Sequence, residues 1–245
     1  MNVLLPILLS SIAGFSTLIG FCFIFIPISQ IKKDKFLTFC LSFSCSIMIG
    51  ISVFDLLPEA YNNLFYLNNN APLIILILLL ISFIVITIFN LLFNNMHNRL
   101  YKLGILSSIT LILHNFPEGI ITFLSSYYDI DLGIKLVIAI ILHNIPEGIT
   151  IALPIYYGTN SKIKALKYTL ISSLAEPLGA IITYLFLGNN INIKILNSSL
   201  VIVSGLMITL AINNMLPEAL KYKQNKYILL GLFIGIFIVF LNMIL

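Results

Sequence analysis

The sequence predicts an all-α polytopic membrane protein of eight transmembrane helices, forming a single transmembrane domain over residues 1–245. Three observations predict it. The chain is 60% hydrophobic and only 9% charged, where a soluble domain carries about 25% charged residues. Apolar runs of the length a bilayer demands, about 20 residues, recur eight times, at roughly 3–28, 36–61, 72–93, 103–125, 133–156, 165–187, 196–219 and 227–244. The basic residues also alternate between successive loops. Lys32, Lys33 and Lys35 lie in loop 1–2, Arg99 and Lys102 in loop 3–4, Lys162, Lys164 and Lys167 in loop 5–6, and Lys221, Lys223 and Lys226 in loop 7–8. The even-numbered loops hold only Lys135 and Lys194. By the positive-inside rule the odd-numbered loops are cytoplasmic and the N- and C-termini lie outside. The expected location is the cell (plasma or inner) membrane, crossed several times. The net charge of +4 is spread over short loops and forms no basic face, which argues against a nucleic-acid partner.

Span one lacks a basic leading region and a small-residue cleavage site, so it is expected to be a retained helix rather than a signal peptide. Ser10, Gly14, Thr17 and Gly20 recur along it at helical spacing, a stripe of small residues that suits close helix packing. Span two ends in Asp55-Leu-Leu-Pro-Glu-Ala60 and span seven in Asn214-Met-Leu-Pro-Glu-Ala219. With eight spans these two run in opposite directions. Spans four and five also echo each other, so the plan is a 3+2+3 arrangement with inverted repeats, a common transporter architecture with its site near the midplane. Glu59 and Glu218 are expected near the outer ends of their helices, either attracting cations or hydrogen-bonding at a proline break. Asp55 and Asn214 lie deeper, as candidates for a pathway, and Asn213 stands apart from the main site with them. His97 is expected to be a solvated loop residue. Cys22, Cys40 and Cys45 fall in apolar runs without a CxxC pattern, which fits small buried hydrophobes rather than thiolate ligands.

The chemistry concentrates in spans four to six. His114-Asn-Phe-Pro-Glu-Gly119 in span four recurs as His143-Asn-Ile-Pro-Glu-Gly148 in span five. Ionisable residues in hydrocarbon are expensive and mark function by default. His114 and Glu118 are four residues apart and share a helix face, as do His143 and Glu147. Asn115 and Asn144 sit beside those faces. Pro117 and Pro146 cannot donate a helical hydrogen bond and free the carbonyls of Leu113 and Leu142, an arrangement membranes tolerate where it lines a wet cavity or finds partners. Glu176, followed by Pro177, stands about eleven residues into span six, and at about 1.5 Å per residue it reaches the depth of both hexapeptides.

Imidazole, amide oxygen and carboxylate donors at one depth fit a divalent cation site, and mixed nitrogen–oxygen ligation points to Zn²⁺, Fe²⁺ or Mn²⁺. Glu118, Glu147 and Glu176 bring a charge of −3 when ionised; one divalent ion leaves −1 and two leave +1. Glu118 and Glu147 are placed to bridge two metals. Cation binding should displace protons and so depend on pH. A structural pairing of helices is the bland alternative, and the repetition of His, Asn and Glu at equal spacing argues against it. An intramembrane metallohydrolase would carry HExxH, which is absent. A passive metal channel could use the same ligands as a carrier.

These residues resemble the ZIP (Zrt- and Irt-like) family of divalent-metal transporters, in particular its ZupT-like zinc branch. The match rests on the two hexapeptides, on Ala175-Glu-Pro-Leu-Gly179 in span six, and on the eight-span layout with outside termini, so it extends over essentially the whole chain. The resemblance implies a transporter, not an enzyme. It implies a binuclear centre with one metal on His114, Glu118, His143 and Glu147, and another on Asn115, Asn144 and Glu176 together with the two shared glutamates. It further implies zinc uptake into the cytoplasm, with Fe²⁺, Mn²⁺, Co²⁺ and Cd²⁺ as further substrates, and spans one, four, five and six moving against a scaffold that forms a homodimer. The His-rich loop often found between spans three and four of the family is reduced here to His97.

Overall fold

In a computed structural model, which describes residues 3–67, 70–186 and 193–244, the apolar runs are helices joined by short connections, and no strand occurs among the described residues. Helix α1 (Leu4–Phe21) tightens into a 3₁₀ turn at Cys22–Phe25 and stops at Ile26, which turns extended ahead of Pro27, as a residue preceding proline prefers. Helix α2 (Gln30–Ile51) runs through a π-helical stretch at Ser52–Leu56 into α3 (Leu57–Leu67). Helix α4 (Ala71–Leu92) carries a proline in its first turn. Helices α5 (Arg99–Tyr128) and α6 (Ile130–Thr159) are 30 residues each and nearly contiguous. Between them Asp129 accepts hydrogen bonds from the backbone N–H groups of Asp131 and Leu132, capping α6.

Helices α7 (Lys162–Ser173) and α8 (Ala175–Leu185) are the halves of the sixth predicted span, interrupted at Leu174. Pro177 explains the break: its ring excludes the carbonyl four residues back, that of Ser173, and it has no N–H to donate. Helix α9 (Ile193–Leu210), a second π-helical stretch (Ala211–Met215) and α10 (Leu216–Lys221) form the seventh rod, and α11 (Asn225–Ile244) the eighth. Among the described residues six helical rods are long and apolar enough to cross a membrane, and Asn225–Leu241 is a shorter apolar helix. The broken α7–α8 is the remaining one, because neither half reaches spanning length alone. Pro117, Pro146 and Pro154 lie inside α5 and α6 without ending them.

Helices α1, α5, α6 and α7–α8 pack on one another, as do α2–α3, α4, α9–α10 and α11; α2 against α6 and α5 against α9 join the two groups. The seam is apolar: Leu103 and Leu106 of α5 and Ile149, Ala152 and Leu153 of α6 share a core with Leu41, Cys45 and Met48 of α2 and Met207 and Leu210 of α9. Outward-facing leucines, isoleucines and phenylalanines, such as Leu80, Phe83 and Leu91 on α4 and Phe233 and Phe237 on α11, stay exposed. In a bilayer that surface meets lipid, which is as apolar as leucine.

Candidate metal centre

The two hexapeptides face each other where α5 and α6 run side by side, and Glu176 enters from the first turn of α8. Glycine makes that approach possible. A Cβ on Gly119 would strike the backbone of Glu176, and one on Gly148 would strike the Thr17 carbonyl of α1. The glycine that closes each hexapeptide therefore lets a neighbouring helix reach the site. The small-residue stripe of α1 behaves as expected from its spacing: Ser10, Gly14, Thr17 and Gly20 are all buried.

All seven predicted residues are at least 95% buried. His114 Nε2 lies 3.1 Å from Glu118 Oε1 and 3.5 Å from Glu147 Oε1. His143 Nε2 lies 3.1 Å from the same Glu118 oxygen. Donor atoms of His114, Glu118 and His143 all fall within 4.8 Å of one another, and the two imidazole centroids are 6.1 Å apart. A second group adjoins the first. The Asn144 amide donates to Glu176 Oε1 and to the Ala13 carbonyl of α1. The Asn115 amide donates to the Ser172 carbonyl at the end of α7, beside the interruption where helical carbonyls lack their usual partners.

With their N–H groups committed in this way, Asn115 and Asn144 keep side-chain oxygens that have no hydrogen-bond partner among the described residues. The same holds for both oxygens of Glu147, one each of Glu118 and Glu176, and Nδ1 of both histidines. Buried polar atoms are almost always satisfied, so this density of unpartnered oxygen and nitrogen atoms at one place is the chemical signature of the site. No Lys or Arg pairs with these carboxylates among the described residues. Three carboxylates and two imidazoles with inward lone pairs can ligate a cation of borderline hardness.

The remaining candidates separate. Asp55, in the first π-helical stretch, and Glu59 are exposed. Asp55 stands within electrostatic reach of His143 and Glu118, and Glu59 within reach of Asp55. Asn63 of the same helix donates to Asn197 at the start of α9. Glu218, at the far end of that rod, therefore lies at the opposite end of the molecule, which corrects the expectation that both glutamates sit at the outer ends. Helices packed antiparallel carry their C-terminal motifs to opposite ends, and Glu218 bonds Lys221 beside loop 3–4. Asn214 exchanges amide hydrogen bonds with Asn90, and Asn213 lines a cavity beside it. His97 is exposed in the α4–α5 connection, as expected. Cys40 and Cys45 are buried, but Cys22 is exposed, because the 3₁₀ turn carries it to the outer surface.

Sequence reasoning missed Ser44, whose buried hydroxyl donates to the Pro146 carbonyl at 2.9 Å across the seam. It also missed the carbonyls of Ala13 and Ser172. Backbone groups leave no sequence signal, and Ser44 sits among other small polar residues of α2.

A profile of the ZIP zinc transporter family matches residues 98–243, from the cap of α5 into α11. This chain belongs to the ZIP zinc transporter family. Three curated relatives are each a zinc transporter ZupT. That of Oceanobacillus iheyensis is 34% identical, aligned over 100% of this chain and 98% of its own. That of Chlorobium limicola is 33% identical over 96% and 95%, and that of Streptococcus mutans 31% over 97% and 96%. As a ZIP protein the chain is an integral membrane transporter and not an enzyme. The part matched by the ZIP profile contains both hexapeptides and Glu176.

Proposed function

We propose that this ZIP protein carries Zn²⁺ into the cytoplasm through a binuclear centre at the middle of the membrane. The observation that carries this reading is the convergence of orphaned nitrogen and oxygen atoms from His114, Asn115, Glu118, His143, Asn144, Glu147 and Glu176 in one buried volume. One ion takes His114, Glu118, His143 and Glu147. The second takes Asn115, Asn144 and Glu176 and shares Glu118 and Glu147. The proximity of Glu118 to both imidazoles supports the first set, and the Asn144–Glu176 contact supports the second. Fe²⁺ and Mn²⁺ share the ligand preferences and are further substrates.

Access alternates by movement of α1, α5, α6 and α7–α8 against the other helices, within one domain of eight spans with outside termini in the plasma or inner membrane. The apolar seam supports this, since few directional polar links oppose sliding across it; Ser44 to the Pro146 carbonyl and Lys102 to the Asn90 carbonyl are hydrogen bonds that cross it. The outer helices, α4 among them, supply the face on which a homodimer forms.

Zinc uptake into proteoliposomes tests the reading. Glu147→Ala removes a ligand common to both ions and should abolish uptake; wild-type uptake by this variant overturns the ligand assignment. Glu176→Ala should halve the bound zinc measured at equilibrium, whereas loss of all metal contradicts two separable positions. Saturable uptake fits a carrier, and flux that rises without saturation fits a channel.

A further inference from the structure

At the end of the molecule that holds loops 3–4 and 7–8, a cavity of about 400 Å³ opens between the α4–α5 connection, the second π-helical stretch and α10. Its lining carries Arg99, Lys102 and Lys221 against a single carboxylate, Glu218, with His97 and Asn214 beside them. Glu218 is already bonded to Lys221. Arg99 makes no ion pair among the described residues. Lys102 is held in place by donating to the Asn90 carbonyl at 2.8 Å, and Asn90 and Asn214 are locked by reciprocal amide bonds of 3.1 and 2.7 Å. The floor of the cavity is thus a fixed polar network, and its charge is positive. Such a place repels the divalent cation that the centre of the protein collects.

We propose that this cavity holds the phosphate of an anionic phospholipid headgroup. Arg presents a planar fork of donors suited to phosphate oxygens, and Lys adds a point charge. The volume exceeds a bare phosphate and accommodates its glycerol as well. Leu91 and Leu92, at the end of α4 that leads into the cavity, are about 69% and 68% exposed and offer an apolar track for the acyl chains. That track favours a lipid over a soluble anion. Basic pockets between helices at the cytoplasmic face bind anionic headgroups for these reasons.

The experiment is native mass spectrometry of the full chain released from detergent micelles containing phosphatidylglycerol and phosphatidylcholine. The wild-type chain should retain phosphatidylglycerol over phosphatidylcholine by on the order of tenfold. Arg99→Gln with Lys102→Gln should lose most of that preference, while Arg99→Lys with Lys102→Arg should keep it. Equal retention of the two lipids by the wild type, or unchanged preference in the double glutamine variant, overturns the proposal. If the double variant does not fold, Arg99→Gln alone leaves the Lys102–Asn90 bond in place and should still reduce the preference; no reduction overturns it. Millimolar inorganic phosphate should leave thermal stability in lipid-free detergent unchanged. A phosphate-dependent stabilisation that Arg99→Gln abolishes would overturn the lipid assignment in favour of a soluble anion. None of these readouts requires zinc transport.

Discussion

The chain contains two internal repeats that carry Pro-Glu, and the fold uses them in opposite ways. The hexapeptides at His114–Gly119 and His143–Gly148 lie on adjacent helices whose motifs meet at the same depth, so their side chains converge, buried, on one volume. The Leu-Pro-Glu-Ala copies at Leu57–Ala60 and Leu216–Ala219 lie toward the C-terminal ends of antiparallel rods rather than at their middles, so their glutamates are carried to opposite ends. Each of the latter follows a π-helical stretch in which an N–H reaches back five residues, Leu57 to the Ser52 carbonyl and Leu216 to the Ala211 carbonyl. Equal local chemistry therefore yields one buried cluster of metal-ligating groups in one case and two dissimilar ends of the molecule in the other. At the first, Asp55 and Glu59 are exposed and linked electrostatically to the site. At the second, Asn214 replaces the aspartate and Lys221 bonds the glutamate. Placement, not motif, decides what a repeated carboxylate does.

The contrast breaks most severely if the hexapeptides are forced apart. Gly148→Ala sets a methyl group against the Thr17 carbonyl, and overpacking of this kind costs about 3 kcal/mol at the upper end of its usual range. Zinc uptake should fall to near background with a lowered thermal midpoint; wild-type uptake would mean that the close approach of α1 and α6 is dispensable. Next in size is the exposed mouth. Asp55→Asn removes a charge that concentrates cations near His143 and Glu118, so the zinc concentration for half-maximal uptake should rise by about tenfold at low ionic strength, with the maximal rate retained and the difference shrinking in salt. A fall in the maximal rate alone would place Asp55 in the machinery of movement. The smallest effect belongs to the opposite end of the molecule. Glu218→Gln breaks an ion pair between a buried Glu218 side chain, 11% exposed, and a Lys221 side chain that is 45% exposed; the half-exposed cation keeps water as a partner, so the loss is about 1 kcal/mol. Thermal stability should change little and half-maximal uptake not at all; a shift as large as that of Asp55→Asn would erase the distinction between the two ends.

Sequence periodicity alone determined much of this. Hydrocarbon satisfies no backbone hydrogen bonds, so long apolar runs have to be helices; each expected run overlaps a helical rod, although the second rod extends beyond its run at both ends and the sixth is broken at Leu174. The burial of His114, Glu118, His143 and Glu147 was legible because helical spacing aligns residues four apart and because ionisable groups are not retained in lipid without a use. Glu176 was legible from depth alone. What the sequence could not decide was which atoms meet. The orientation of Asn115 and Asn144 depends on the carbonyls of Ser172 and Ala13, which belong to other helices and have no residue identity. The link from Ser44 to Pro146, the exposure of Cys22 and the opposite placement of Glu59 and Glu218 likewise depend on how helices are laid against one another. Local patterns specify each helix because its hydrogen bonds close within the segment; contacts between helices are set by long-range packing, which only the tertiary structure reveals.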